Sequence, residues 1–241
     1  ALYTAMTLAA IGHLHERGWV HRDLKPENLV LDAEGYLKLV DLGLARELAP
    51  GERAWTLCGT AEYLAPEVVR GGGYGAQADF WSLGVLLFEM LAGYPPFCAD
   101  TTLGVLDLSL RCEPSYPAHF PPAAKALVGA LLARQPRQRL GSCGAPGGRC
   151  GGAVDVACHP FLARIDWRAL LAREVEAPVV PAVPGSSRVD LASIETVLAL
   201  PQQQLVETGV EAGGGSAGAA AADIGQYVEF TDVEVEEAPF T

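Results

Sequence analysis

His21-Arg22-Asp23-Leu24-Lys25-Pro26-Glu27-Asn28 is the most informative stretch of this 241-residue chain. It places a carboxylate (Asp23), a cation (Lys25) and a side-chain amide (Asn28) within one short segment. Phosphoryl transfer needs a carboxylate to accept the hydroxyl proton, a cation for the γ-phosphate and oxygen ligands for Mg²⁺. The segment therefore predicts a loop that carries phosphoryl-transfer chemistry.

Further motifs follow in a defined order. Asp41-Leu42-Gly43 comes after an apolar run at 37–40, and Gly59-Thr60 and Ala65-Pro66-Glu67 come later. Alone, an Arg-Asp pair or an Ala-Pro-Glu triplet would indicate a salt-bridged turn or a helix start. Together and in this order the motifs favour function, because strand-like runs at 29–31 and 37–40 flank a turn between them. The ordered set resembles the protein kinase superfamily.

A finer resemblance begins at Trp55-Thr56-Leu57-Cys58-Gly59-Thr60, which is similar to the activation loop of cyclic-nucleotide-dependent kinases in the AGC group. Segments 93–97, 139–141, 159–161 and 175–178 continue the similarity in the same order, so that it covers residues 1 to about 185. The most similar proteins are the cAMP-dependent and cGMP-dependent catalytic domains. The resemblance implies a serine/threonine protein kinase that uses ATP and Mg²⁺.

The resemblance also implies a role for each matching residue. The expected catalytic residues are Asp23 as the base, Lys25 on the γ-phosphate and Thr60, whose hydroxyl favours Ser/Thr acceptors. The expected nucleotide and metal contacts come from Lys25, Glu27, Asn28 and Asp41, with Asn28 and Asp41 as the magnesium ligands. The expected activating phosphosite is Thr56, paired with Arg22 and Arg46. The expected structural supports are Asp79 under the catalytic loop and the ion pair between Glu67 and Arg139.

Substrate class follows from acids that match peptide-binding positions of the family. Glu27, Glu62 and Glu89 should bind arginines two and three residues before the acceptor, because carboxylates match guanidinium groups in geometry and charge. Leu57 and Leu64 should contact the peptide as well. For any one glutamate a solvated surface acid is an equally good interpretation; three together favour a basophilic kinase.

The expected fold is a protein-kinase-like α+β architecture, reduced to a mostly α-helical large lobe with a small β-hairpin region. Helices are predicted from an apolar stripe (Leu8, Ile11 and Leu14) and over 79–91, 101–111 and 123–133, with a short piece near Val154. No Gly-rich loop, small-lobe lysine or partner glutamate is found, so we expect the small lobe to be absent and the chain to be truncated.

Two regions are predicted along the chain. Residues 1–164 should form the large lobe, and residues 165–241 a divergent AGC-type tail that is largely disordered after about 185. The loop from Asp41 to Thr56 is longer than in the cAMP-dependent enzymes, with Pro50-Gly51 as the expected turn. Leu42 replaces the usual Phe, and Ala61 the usual Pro.

Charge excludes some partners. Of the net charge of −12, the 13 acids and 3 arginines of residues 165–241 contribute −10, which leaves −2 for residues 1–164. Without a basic stripe we expect no nucleic-acid partner, and without a long apolar segment no membrane span. We expect a cytoplasmic or nuclear protein. Its expected partners are protein substrates and a cyclic-nucleotide-binding regulatory subunit or domain.

Cysteines at 143, 150 and 158, with His159, suggest a zinc site. Their wide spacing and a Gly-rich context at 141–152 favour a low-complexity surface loop instead. Cys58 could be a redox-sensitive thiol, although an inert buried thiol is the preferred interpretation.

Two functional classes stay open from the sequence. One is the catalytic half of a Ser/Thr kinase; the other is an inactive fragment that binds substrates or a regulatory subunit.

Overall fold

The computed structural model describes residues 1–142 and 151–181. The predicted disordered tail beyond about 185, and Cys143 and Cys150 of the insertion, lie outside these residues. Within the described residues, no helix has the length and apolar character needed to cross a membrane.

Helices dominate the described residues. The α-helices are α1 (Leu2–Glu16), α2 (Pro66–Val69), α3 (Gln77–Ala92), α4 (Thr102–Arg111), α5 (Pro122–Leu131), α6 (Ala153–Ala157) and α7 (Trp167–Leu171). Short 3₁₀ helices occupy Pro26–Asn28, Ala61–Tyr63, Pro136–Gln138 and Pro160–Leu162. The strands are β1 (Trp19–Val20), β2 (Leu29–Leu31), β3 (Leu37–Leu39) and β4 (Arg46–Glu47). The prediction of a mostly helical architecture with a small β-hairpin region is confirmed.

The core is built around α1 and α3. Helix α3 is buried continuously from Ala78 to Phe88 and packs against α5 and α1. The helix predicted from Leu8, Ile11 and Leu14 is confirmed as α1, in which every residue from Thr4 to Leu14 is buried. Helix α1 is surrounded by α3, α6, β1 and β3, so it has no wide solvent face.

Helix ends depart slightly from the predicted bounds, and each departure has a local cause. Thr101 is outside α4, because its side chain caps the helix by accepting a hydrogen bond from Gly104 N at 3.1 Å. Helix α3 ends at Ala92, and the following Gly93 caps it with a left-handed φ of 82° that favours glycine. Helix α5 ends at Leu131, before the predicted end at 133.

The hairpin of β2 and β3 has Asn28 directly before its first strand and Asp41 shortly after its second. Strands β2 and β3 pair antiparallel with Leu29 opposite Leu39, and Val40 N donates to Asn28 O at 2.9 Å. Asn28 therefore lies directly across the hairpin from the residue that precedes Asp41. A second small sheet pairs β1 with β4, which ties the activation segment (residues 41–67) to the residues before the catalytic loop (residues 21–28).

The predicted turn at Pro50-Gly51 is confirmed. Glu52 N donates to Ala49 O at 2.8 Å, and Gly51 has a φ of 83°. Pro followed by a glycine with positive φ is the pattern of a type II turn.

Residues after α7 pack against the hairpin. Arg173 forms ion pairs with Asp32 and Glu34, and its guanidinium lies 4.6 Å from the ring centroid of Tyr36. The Tyr36 hydroxyl donates to Val175 O at 2.6 Å. The described part of the predicted tail thus lies on the lobe, while the predicted boundary at 164/165 stays a prediction.

Candidate active site

The backbone at the start of the catalytic loop is held by a buried carboxylate. Asp79 on α3 accepts hydrogen bonds from His21 N at 2.8 Å and from Arg22 N at 2.9 Å. His15 Nε2 lies 2.7 Å from the same carboxylate. Arg22 has a left-handed φ of 71°, a conformation that an arginine keeps only when its surroundings fix it. The structure thus places Asp79 where the sequence predicts a support for the loop.

Burial and neighbouring groups act on the pKa of Asp79 in opposite directions. Burial raises its pKa, but the hydrogen bond and charge of His15, the charge of His21 and the hydrogen bond from Arg22 N outweigh burial and hold the pKa below its usual value. A carboxylate with this many donors stays ionised inside the protein. The catalytic loop is therefore anchored to a fixed negative charge.

Asp23 is the centre of the predicted catalytic group. Its Oδ1 accepts from Thr60 N at 3.0 Å and from the Thr60 hydroxyl at 2.9 Å, and its Oδ2 lies 2.9 Å from Lys25 Nζ. Lys25 Nζ also donates to Thr60 Oγ1 at 3.0 Å. Residues 37 positions apart in the chain, Asp23 and Thr60, therefore meet at one carboxylate.

The same contacts shift the pKa values of the group. Burial raises the pKa of Asp23, but hydrogen bonds from Lys25, Thr60 and Asn28 outweigh burial and lower it overall. The hydrogen bond to Asp23 raises the pKa of Lys25, against the effect of burial. At neutral pH the carboxylate and the ammonium group are both charged.

The hydrogen bonds of Asn28 use its amide nitrogen as the donor. Its Nδ2 donates to Asp23 O at 2.8 Å and to Asp23 Oδ2 at 3.2 Å. Because the amide nitrogen is used in both contacts, the amide oxygen is left as an acceptor. Asp41 follows β3 on the other side of the hairpin, with an exposed carboxylate that accepts from Gly43 N at 3.1 Å and a φ of 60°.

These oxygens fit Mg²⁺ by their chemistry. Magnesium is usually held by one or two carboxylates together with waters and substrate phosphates, rather than by a closed protein cage. Within residues 1–142 and 151–181, no group of three or more His, Cys, Asp or Glu side chains could hold a metal ion. An open site built from Asn28 and Asp41 is compatible with that finding. His159 accepts from Phe161 N at 3.2 Å within its own 3₁₀ turn.

Thr56, the predicted phosphosite, is exposed. Its carbonyl accepts a hydrogen bond from the Tyr74 hydroxyl at 2.7 Å. The predicted partner arginines have other contacts here: Arg22 Nε donates to Leu44 O, and Arg46 pairs with Glu52 at 2.8 Å. Phosphate binding by this pair stays a prediction, and it would require Arg46 to exchange Glu52 for the phosphate.

The three predicted substrate acids lie close enough to influence one another. Burial, and then the charges of Glu27 and Glu62, raise the pKa of Glu89. Tyr63 donates a short hydrogen bond to the Glu89 carboxylate, and burial together with these acids raises the pKa of the Tyr63 hydroxyl. Glu27 and Glu62 thus both act on Glu89 through their charges, and we call these three residues the acidic patch (Glu27, Glu62 and Glu89).

The segment after the phosphosite passes close to the catalytic loop. Gly59 has a φ of 104°, and a Cβ there would lie 2.6 Å from Arg22 O. The two predicted peptide-contact leucines differ in exposure: Leu57 is 60% exposed, whereas Leu64 is buried. The exposure of Leu57 is compatible with the predicted peptide contact, whereas Leu64 offers little surface for one.

The predicted ion pair between Glu67 and Arg139 is present. Arg139 Nη1 lies 2.6 Å from Glu67 Oε1, and Nη2 lies 2.9 Å from Oε2. Arg139 also donates to Gln77 O at 2.7 Å and lies 5.2 Å from the ring centroid of Trp81. The pair links the end of the activation segment to the helical core.

Two residues of the site were missed by sequence reasoning. His15 lies 64 positions from Asp79, and Tyr63 lies 26 positions from Glu89. Neither belongs to a motif with a stated chemical role, so only their three-dimensional neighbours reveal them.

Comparison with known proteins agrees with this geometry. The family model described as "Protein kinase domain" matches residues 1–162. The mouse cAMP-dependent protein kinase catalytic subunit PRKX is 39% identical over 206 residues, which cover 86% of this chain and 54% of the relative. The human protein of the same name is 41% identical over 194 residues, covering 80% of this chain and 51% of the relative.

A fission yeast relative extends the comparison. The cAMP-dependent protein kinase catalytic subunit of Schizosaccharomyces pombe is 41% identical over 181 residues, which cover 75% of this chain and 34% of the relative. The chain therefore spans about half, or less, of the length of the curated relatives it matches. With two thirds of its residues inside the matched domain, this chain belongs to the protein kinase family, with relatives of the AGC, cAMP-dependent type.

Proposed function

We propose that this chain provides the large-lobe half of an ATP-dependent serine/threonine protein kinase. The observation that carries the proposal is the hydrogen-bonded group in which Asp23 meets Lys25, Thr60 and Asn28. These residue types, held within hydrogen-bond distance, are the ones that phosphoryl transfer requires. Catalysis of this kind depends on positioning and charge rather than on covalent chemistry.

Asp23 would receive the proton of the substrate hydroxyl. Its lowered pKa keeps it ionised, so it can accept a hydrogen bond from an incoming Ser or Thr and orient that hydroxyl. Thr60 donates to Oδ1 through both its backbone N–H and its hydroxyl, which restricts rotation of the carboxylate. The proton would move to Asp23 as the hydroxyl oxygen bonds to the γ-phosphorus of ATP and the bond between that phosphorus and the β–γ bridging oxygen breaks, which releases ADP.

Lys25 would stabilise the negative charge on the transferred phosphoryl group. Its raised pKa keeps it cationic, and Asp23 and Thr60 fix the position of its Nζ. When bound, ATP would supply the phosphoryl group and Mg²⁺ would neutralise its charge. Asn28 and Asp41 offer the oxygens that would hold the metal, and Glu27, beside Asn28, is the further nucleotide contact that we propose.

The acidic patch supports a preference for arginine-rich substrates. The charges of Glu27 and Glu62 raise the pKa of Glu89, and a guanidinium group bound beside Glu89 would relieve this repulsion. We therefore propose acceptors with arginines two and three residues upstream. The relatives named as cAMP-dependent catalytic subunits support a further proposal, that a cyclic-nucleotide-binding regulatory subunit or domain controls the activity. The cytoplasmic or nuclear location stays a prediction.

The test is ³²P transfer to an Arg-Arg-x-Ser peptide. Three proteins are compared: this chain, a chain extended upstream along its native transcript, and the extended chain with Asp41→Ala. Transfer by the extended chain that disappears in Asp41→Ala supports the proposal and the metal role of Asp41. Peptide binding without transfer by the extended chain would contradict it, and would favour a substrate-binding module instead.

A further inference from the structure

An ion pair within the activation segment holds the turn at 49–52 against strand β4. Arg46 Nη2 lies 2.8 Å from Glu52 Oε1, and the other carboxylate oxygen of Glu52 accepts from Ala49 N at 3.0 Å. The backbone of the same turn is closed by Glu52 N, which donates to Ala49 O at 2.8 Å. One oxygen of the Glu52 carboxylate is therefore held by a guanidinium group and the other by a backbone N–H.

The Glu52 carboxylate is ionised at neutral pH. The hydrogen bond from Ala49 N, together with the hydrogen bond and charge of Arg46, outweighs burial and holds the pKa of Glu52 below its ordinary value. An exposed ion pair alone contributes little, because water screens it and two long side chains lose freedom. Here the turn fixes the carboxylate in advance, so that the guanidinium meets an acid that is already in place.

Arg46 lies beside the catalytic loop. In the pairing of β4 with β1 it is opposite Val20, the residue directly before the catalytic loop. Close to it in the chain, Leu44 O accepts a hydrogen bond from the Arg22 side chain. A carboxylate that holds Arg46 therefore connects the turn at 49–52 to a stretch of chain that is itself attached to the catalytic loop.

Beyond the turn, a series of contacts leads the activation segment to the catalytic group. Ala54 and Tyr74 exchange two backbone hydrogen bonds of 2.8 and 2.9 Å, and the Tyr74 hydroxyl donates to Thr56 O at 2.7 Å. Thr60 N then donates to Asp23 Oδ1 at 3.0 Å. One residue separates the end of the turn from the first of these contacts, so the turn sets the direction in which the chain enters them.

We propose that Glu52 is a positioning residue of the kinase, which acts through Arg46. Their ion pair holds the activation segment in the arrangement that brings Thr60 to Asp23. A phosphate at Thr56 would offer Arg46 a negative charge, and Glu52 supplies such a charge from within the segment itself. The arrangement therefore does not depend on phosphorylation of Thr56. This inference rests on the proposed kinase function.

Hydrogen exchange on the full 241-residue chain tests the positioning role without requiring activity. In Glu52→Gln the amides of Ala54 and Thr60 should exchange about two- to fivefold faster, as expected for loss of an exposed ion pair, with exchange in α3 unchanged. Arg46→Gln should have the same effect, and the double variant should add nothing, because both substitutions remove one interaction. Glu47→Gln, which changes the neighbouring exposed acid in β4, is the matched control and should leave both exchange rates unchanged.

Kinetics of the upstream-extended kinase test the link to phosphoryl transfer. Glu52→Gln should lower kcat about two- to fivefold and leave KM for ATP unchanged, because fewer molecules have the catalytic group assembled. Circular dichroism establishes that the compared proteins are equally folded. Thr56→Ala, in a chain that keeps Glu52, should lower kcat by less than about tenfold, because the segment is ordered without the phosphate.

The proposal is overturned if Glu52→Gln leaves exchange at Ala54 and Thr60 unchanged, or if exchange in α3 rises equally. It is also overturned if Glu52→Gln keeps the full kcat, or if Thr56→Ala abolishes transfer by a kinase that contains Glu52. Absence of transfer by every extended protein would contradict the proposed function instead. Exchange on the full chain would then still decide whether Glu52 positions the activation segment.

Discussion

Arg139 and Glu67 form a two-pronged ion pair, with N–O distances of 2.6 and 2.9 Å, around a guanidinium that is fully buried. The chain positions of the partners are 72 residues apart, so the pair joins the end of the activation segment to the loop after α5. A buried charge is tolerated only when it is paired, and here both nitrogens of the fork are matched.

Glu67→Gln should lower the free energy of unfolding by about 3–5 kcal/mol, because it leaves the Arg139 guanidinium buried without a countercharge. Urea denaturation followed by circular dichroism measures the change. The control is Asp107→Asn, which breaks the ion pair between Asp107 and Arg111. The two side chains are 56% and 65% exposed, respectively. That change should cost about 0–1 kcal/mol. Equal losses in the two variants would show that the Glu67 pair is not a structural support.

Asp79→Asn should destabilise the protein by about 3 kcal/mol at pH 7, because it replaces a charged acceptor of two backbone N–H groups by an amide. Hydrogen exchange at His21 and Arg22 should become faster. The control is Asp166→Asn, the same chemical change at the exposed N-cap of α7, where Asn caps as well as Asp. Unchanged exchange at His21 and Arg22 would contradict the anchoring role.

The same carboxylate predicts a pH dependence. The pKa of Asp79 in the folded protein lies below its ordinary value of 3.8, so the ionised carboxylate contributes fully to stability at any pH above the pKa of the unfolded chain. That contribution is lost as the pH falls through the lower pKa of the folded protein. The stability difference between the unchanged protein and Asp79→Asn should therefore shrink below about pH 4. A difference that stays constant from pH 7 to pH 3 would argue against an ionised Asp79.

Gly59→Ala should disturb the contact between the activation segment and the catalytic loop. The new Cβ would lie 2.6 Å from Arg22 O, and the alanine would have to adopt the φ of 104° that Gly59 has. Gly71→Ala is the matched control, since Gly71 has a φ of 65° but open space around its Cβ position. The control isolates backbone strain, which costs about 1–2 kcal/mol. Urea denaturation should show a larger loss for Gly59→Ala; equal losses would mean that the close approach is relieved without cost.

Glu89→Gln in the upstream-extended kinase should raise KM for Arg-containing peptides about tenfold or more, with little change for peptides without arginine. Peptide kinetics measure the effect, and Glu174→Gln, an exposed acid outside the acidic patch, is the control. Because the pKa of Glu89 is raised, the pH dependence of peptide binding gives a second readout. Binding of Arg-containing peptides should weaken as the pH falls and Glu89 becomes protonated. Glu89→Gln should reduce this pH dependence. An unchanged preference for arginine would exclude Glu89 from the substrate site.

Several features could be predicted because they depend on local chemistry. The hairpin strands Leu29–Leu31 and Leu37–Leu39 follow from apolar runs, and the Pro50-Gly51 turn from residues with fixed backbone preferences. The apolar stripe of Leu8, Ile11 and Leu14 predicted helix α1, but a stripe does not reveal that the other faces of the helix are buried as well. Periodicity shows which face of a helix is apolar, whereas burial of the other faces depends on what packs around the helix.

The sequence by itself determined the order of the motifs, the helical character of the lobe and the residue types available for phosphoryl transfer, since these depend on identity and spacing along the chain. Only the tertiary structure decided that Asp79 is anchored by His15 and that Tyr63 contacts Glu89. Hydrogen bonds and ion pairs act over a few ångströms in space. Partners that are tens of residues apart become neighbours only when the helices pack.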